Sequence, residues 1–212
     1  MSLATAVAPI APRAGRPRRL IEIDSRATYV SFGLAYLGGH GAAAVSQGDT
    51  PLLDLPGWLP TALLGIGLIV GITQATIASS RVQRAASEPD VLACKLLGAG
   101  WVIGFIALFF AITALTAHLG MPELQSILWP IGSGLVVGLL YLAEGAVRRN
   151  LMHYGLGAWL ALISTTALFF GTPGLFWILA IAGGGAYAAA AVLEQRRLIS
   201  LAEVSASRIS RR

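Results

Sequence analysis

The sequence holds one cysteine, Cys94, and one lysine, Lys95, among its 212 residues. A lone cysteine excludes an internal disulfide and any cysteine-based metal cluster. Charge of either sign is scarce: 12 % of residues are charged and 56 % hydrophobic, against about 25 % charged in an ordinary soluble domain. With a mean hydropathy of +0.73, the composition excludes a soluble globule and places the chain in a bilayer.

The most telling absence is of basic residues from alternate connections. Apolar segments run over about residues 28–46, 57–79, 91–117, 124–147, 151–170 and 174–193, and the first, third and fifth connections between them contain no Lys or Arg. Fourteen of the fifteen basic residues fall in the N-terminal stretch, the second and fourth connections and the tail, and the fifteenth, Lys95, lies just inside the span that follows the second connection. Basic loops stay cytoplasmic during insertion. The expected fold is therefore an all-α integral membrane protein of six transmembrane helices, N-in/C-in, without a soluble domain. The inner side then carries fifteen bases against seven acids, and the outer side only Asp49, Asp54 and Glu123.

That asymmetry accounts for the net charge of +5 through orientation and attraction to anionic inner-leaflet lipid, worth about 1 kcal/mol per basic residue near the surface. Nucleic acid is not an expected partner. The excess of Arg over Lys, with abundant Ala and Gly, points to a GC-rich bacterial genome and hence to a bacterial plasma (inner) membrane. Residues 1–17 have no periodicity and are expected to be disordered, and the N-terminus lacks the order of a cleavable signal. Pro17 to Ala27 has the pattern of a short interfacial helix leading into the membrane domain of residues 18–193. The basic tail, 194–212, places Leu198, Leu201, Ala202 and Ile209 at helical spacing, as in an amphipathic cytoplasmic helix. Trp58, Trp129 and Trp177 fall at expected outer ends and Tyr29 and Tyr154 at inner ends, the positions of an aromatic belt.

What the sequence has in plenty is glycine. Gly65, Gly67 and Gly71 recur in spacing as Gly98, Gly100 and Gly104, then as Gly132, Gly134 and Gly138. On a strand-to-helix turn this spacing would cradle a dinucleotide, but each copy lies in an apolar span with no preceding strand. No cofactor is expected. The pairs Gly67 and Gly71, Gly100 and Gly104, and Gly134 and Gly138 are instead assigned to helix packing, small residues four apart allowing close approach.

Polar groups inside the spans are expensive in lipid and are the next candidates. At about 1.5 Å of rise per residue, Gln74, Lys95, Glu144 and His153 share the inner third. The sharper reading is a Lys95–Glu144 ion pair beside Gln74 and His153, lining a cytoplasmic vestibule; the simpler one, preferred here, is that each side chain snorkels separately. His40 reads as a buried histidine bonded to a neighbouring helix. The three histidines share no depth, so no metal site is expected, and no nucleophile–base pair suggests an enzyme. Function must then reside in the bundle or the tails. The expectation is the membrane subunit of a transport system energised by a separate chain, such as an ABC-type ATPase, with protein partners on the cytoplasmic face or in the bilayer. The alternative is an accessory, assembly or signalling subunit of a membrane complex.

Overall fold

The computed structural model describes residues 24–84 and 86–209, and every described regular element is helical. Residues 1–17, and all but the last residues of the interfacial helix expected over Pro17–Ala27, lie outside them. Asp24 and Ser25 precede the first helix, α1 (Arg26–Ala35), which passes through a π-helical turn at Tyr36–His40 into α2 (Gly41–Ser46). The three pieces, of ten, five and six residues, make one helical path of about 31 Å.

Local chemistry explains where the other helices start and stop. α3 (Leu59–Gln83) opens with Pro60 in its first turn, where the missing N–H is no loss. α4 (Glu88–Leu119) follows an extended Ser87 and carries Pro89, Glu88 and Asp90 in its first turn, with the acids favoured by the helix dipole. It ends at Gly120 in the left-handed conformation (φ 64°), and the Met121 amide closes back on the Thr116 carbonyl at 3.0 Å. A short 3₁₀ turn, Pro122–Leu124, leads into α5 (Gln125–Arg148). Arg149, at φ 53°, ends α5, and the Asn150 amide bonds the Gly145 carbonyl at 2.8 Å. Asn150 then caps α6 (Leu151–Ala167) by accepting the His153 amide through its side chain.

Four helical stretches among the described residues are long and apolar enough to cross a membrane: Leu59–Gln83, Glu88–Leu119, Pro122–Arg148 and Leu151–Ser200. The last, at 50 residues, would measure about 75 Å if straight, more than twice a hydrocarbon core of about 30 Å. It is not straight. After a 3₁₀ turn at Leu168–Phe170 the chain reverses through Gly171 (φ 58°) and Thr172 (φ −88°, ψ 132°). It then continues as α7 (Gly171–Ile178), a second π-helical turn at Leu179–Gly183, and α8 (Gly184–Ile209). α6 therefore lies against α7 and α8. α8 stays helical to Ile209, while the side chains of Leu201, Ala202 and Ile209 lie outside the described residues.

The connections gather at two ends. Gly48, after α2, touches Pro173, and the acids Asp49, Asp54 and Glu123 occupy loops at that end. The start of α1, the turn at Arg149–Asn150 and the Glu194–Arg197 stretch of α8 form the opposite, basic end. Between them α5 and α6 pack most extensively, α1 lies between α3 and α8, and α4 rests mainly on α5. α3 buries only Pro60 and Gly71, and α4 only Ile112 and Thr116. Two clusters fill the interior. An aromatic one toward the basic end contains Tyr29, Phe32, Tyr36, Tyr141 and Tyr187. A smaller one toward the acidic end is built around Ala43, Ala44, Leu175, Phe176 and Leu179.

Candidate functional site

Tyr29, Phe32, Tyr36 and His40 follow one another at spacings that keep them on one face of the first helical path, and that face is turned inward. They meet Tyr187 of α8, Tyr141 of α5 and His153 of α6. Of the chain's five tyrosines, four are buried here: Tyr29, Tyr36, Tyr141 and Tyr187. Their rings meet at angles, with centroids 5.3 Å apart for Tyr36–Tyr187 and 5.6 Å for Phe32–Tyr187, the edge-to-face arrangement that aromatic quadrupoles favour.

The polar centre is His153. Its backbone N–H is fixed by Asn150 Oδ1 at 3.1 Å, which sets the imidazole at the start of α6, under the Tyr141 ring 4.2 Å away. Nδ1 and the Tyr29 hydroxyl are 2.6 Å apart. On the other side, Nε2 faces Glu144 Oε2 at 3.3 Å. This is an ion-pair separation without hydrogen-bond angles, so Nε2 is buried with no hydrogen-bond partner. The second carboxylate oxygen, Oε1, accepts from Trp101 Nε1 at 3.0 Å. Glu144 thus sits between α4 and α6, accepting a hydrogen bond from the indole on one side and facing the imidazole at ion-pair distance on the other.

Around this centre lie further charges. Glu194, with its side chain 1 % exposed, accepts from Arg197 Nε and Nη2, each at 2.8 Å, and acts electrostatically on Tyr29 and Arg26. Arg148, one turn beyond Glu144, reaches the Cys94 sulfur at 3.9 Å, and its Nε is buried without a partner. At the surface the Arg26 guanidinium, bonded to Asp24 at 2.8 Å, holds that carboxyl below its ordinary range. A recess of about 480 Å³ opens there, lined by Asp24, Arg26, Ala27, Val30, Ser31 and Gln195.

The belt expected from depth alone divides. Glu144 and His153 come together. Lys95 and Gln74 do not join them: both are exposed, and Lys95 lines a surface recess with Glu88, Val91 and Leu92. The Lys95–Glu144 pair of the sharper reading is absent among the described residues, and Lys95 and Gln74 stay separate as in the simpler one. Helix rotation is the reason: at about 100° per residue, Cys94 and Trp101 share the face that α4 turns to α5, and Lys95 is a quarter-turn away. Tyr29 was expected at the headgroups and is 1 % exposed inside the bundle, whereas Tyr154 is exposed. His40 is buried as expected, but the neighbours found for it are rings, Tyr36 at 4.9 Å and Phe176 at 6.3 Å, and no hydrogen bond joins it to another helix among the described residues.

The six glycines assigned to packing each face a neighbouring helix. Gly67 meets Ala35 and Gly71 the Phe32 ring; Gly100 and Gly104 meet Leu140 and Val136; Gly134 meets Ser164 and Gly138 the Ala161 backbone. Gly39, Gly145, Gly157, Gly183 and Gly184, which lie outside those three repeats, also approach neighbouring helices closely. Gly183 and Gly184 of the second helical path admit Tyr36 and Leu37 of the first, so the π-helical turns lie against each other.

Among the described residues, no three His, Cys, Asp or Glu side chains converge as metal ligands. What the site does offer in series is a phenol, an imidazole and a carboxylate, groups that accept, hold and release a proton. Compared with known proteins, the chain matches no family model, no curated protein and no solved structure.

Proposed function

We propose that the chain is a six-span protein of the bacterial plasma membrane, with both termini and the basic end in the cytoplasm, its helices held together at glycine-faced contacts. In this reading it is the membrane-embedded subunit of a transport system energised by a separate chain, such as an ABC-type ATPase. The observation that carries the transport reading is the buried Tyr29–His153–Glu144 series. An ionisable pair kept inside an apolar bundle is costly and is retained where it handles a substrate or ion. The need for a second chain rests on short connections with no room for a nucleotide-binding domain. α8, helical to Ile209 with Arg196 and Arg197 along it, offers that chain a basic surface.

One observation favours a second reading. The bundle around Tyr36, Tyr141 and Tyr187 is filled by rings, and the recesses described above open on the surface, as suits an accessory, assembly or signalling subunit with no translocation path of its own. Purification in mild detergent followed by native mass spectrometry separates the two. A stoichiometric ATPase supports the transport reading, a membrane complex without one supports the accessory reading, and a chain that runs alone overturns both. Orientation is tested in a Cys94→Ala background by an impermeant thiol reagent: Asp49→Cys labels from outside and Ser205→Cys only after permeabilisation, and the reverse overturns the topology.

A further inference from the structure

The polar groups around His153 form a line that begins at the basic surface and stops inside the bundle. Ser25, half-buried just before α1, lies one turn before Tyr29, whose amide its carbonyl accepts at 2.9 Å, and the buried Tyr29 side chain ends in a hydroxyl. That hydroxyl meets His153 Nδ1 at 2.6 Å, and Nε2 faces Glu144 at 3.3 Å. The line ends there, because the Trp101 indole on the far carboxylate oxygen is a donor only. Toward the acidic end the imidazole meets Tyr141, whose ring packs against Tyr187, and Tyr187 against Tyr36.

We propose that Tyr29, His153 and Glu144 form a proton-binding site loaded from the basic face and closed toward the opposite one. Before uptake, the Tyr29 hydroxyl donates to Nδ1, and Nε2 carries the ring's one proton on the side of the Glu144 carboxylate. On uptake, Tyr29 passes its proton to Nδ1 and takes another from the Ser25 side. One N–H bond forms on the ring, the phenol is neutral before and after, and the pair goes from net charge −1 to an imidazolium–carboxylate pair of net charge zero. A neutral pair is the easier one to keep away from water. The charges facing the site act on it in both senses. Arg148 on α5 opposes uptake, Glu194 on α8 favours it and is offset by Arg197, and α4 contributes the uncharged Trp101. The inference deepens the transport-associated reading and takes its purpose from it.

The test is ¹⁵N-histidine NMR of the whole protein in nanodiscs of zwitterionic lipid, where only His40, His118 and His153 contribute. His153→Gln identifies the resonance; if that variant does not fold, His40→Asn and His118→Gln identify it by elimination. The expected result is reversible passage of the His153 ring between its neutral and imidazolium forms as the pH is lowered and restored. In Glu144→Gln the ratio of imidazolium to neutral ring at a given pH falls roughly tenfold, the effect of removing an adjacent opposite charge. A ring that keeps one neutral tautomer throughout, or a population unmoved in Glu144→Gln, overturns the proposal. In vesicles of uniform orientation, acidifying the side of the basic face loads the site, and loading from the other side alone overturns the closure. An absent ATPase would remove the transport reading and leave this titration intact, while a silent His153 would remove the proton site and leave the partner test intact.

Discussion

Replacing Gly138 with alanine is the most direct challenge to the way α5 meets α6. A methyl group there would lie 2.5 Å from the Ala161 nitrogen, 2.8 Å from the Gly157 carbonyl and 2.9 Å from the Ala161 Cα. These are backbone atoms, so no rotamer change relieves the clash, and α6 must retreat by about 0.9 Å to restore ordinary contact at 3.4 Å. Overpacking of this kind costs about 1–3 kcal/mol, offset by the gain of about 1 kcal/mol when alanine replaces glycine in a helix. The net is a loss of about 1 kcal/mol. Gly155, two residues before Gly157 on the exposed side of α6, has nothing within 4 Å of an added methyl, so Gly155→Ala keeps only the gain. The two variants should differ by about 2 kcal/mol, or roughly thirtyfold in the unfolding equilibrium. Gly157→Ala meets the Gly138 carbonyl at 2.6 Å, and the double variant should lose less than the sum of the single ones, because one retreat of α6 relieves both clashes. Reversible unfolding in mixed micelles, followed by tryptophan fluorescence, measures all four. Equal shifts for Gly138→Ala and Gly155→Ala would refute the close-contact argument, and strict additivity would refute the shared retreat.

Three further outcomes follow from the site. Tyr29→Phe keeps the ring but leaves His153 Nδ1 buried without its partner, and should lower stability by about 1–3 kcal/mol in the same unfolding assay. Arg197→Ala strands Glu194, whose side chain is 1 % exposed; a loss of about 3 kcal/mol is expected, with most of it recovered in the Arg197→Ala/Glu194→Gln double variant. Trp101→Phe removes the only donor to Glu144 Oε1 among the described residues. It should lower stability by about 1–3 kcal/mol in the wild-type background and by much less once Glu144 is Gln, as a double-mutant cycle would register.

The helical and membrane-suited character of the chain was open to reading because hydropathy is a one-dimensional signal: apolar runs, and the Pro, Gly and charged residues that interrupt them, mark the helices directly. Depth along a helix is nearly as simple, and depth alone suggested Glu144 and His153 as neighbours. Azimuth was the missing coordinate. Lys95 shares their depth but points away from α5, whereas Trp101, one and a half turns along, points toward it and binds Glu144. Tyr29 sits at belt depth, yet its stripe with Tyr36 and His40 turns it inward, a signal that lay in the spacing and was outweighed by its nearness to the helix end. Gly138 stood out through its four-residue spacing. Gly145 did not, because the residues four positions from it, Tyr141 and Arg149, are large and leave no small-residue strip in the sequence.

The hydrogen bond between Tyr29 and His153 spans 124 positions of the chain, and the ring beside it, Tyr187, lies near the far end of the sequence. During synthesis, α5 and α6 can zip together as soon as both have emerged, since only Arg149 and Asn150 separate them. The first helical path has no such early partner in α8, which follows α6 in the order of synthesis. Tyr29 must therefore wait, its hydroxyl and ring unmatched, until α6 and α8 have both emerged. A product truncated before α8 would carry an open, polar-lined flank where Tyr187 closes the finished cluster.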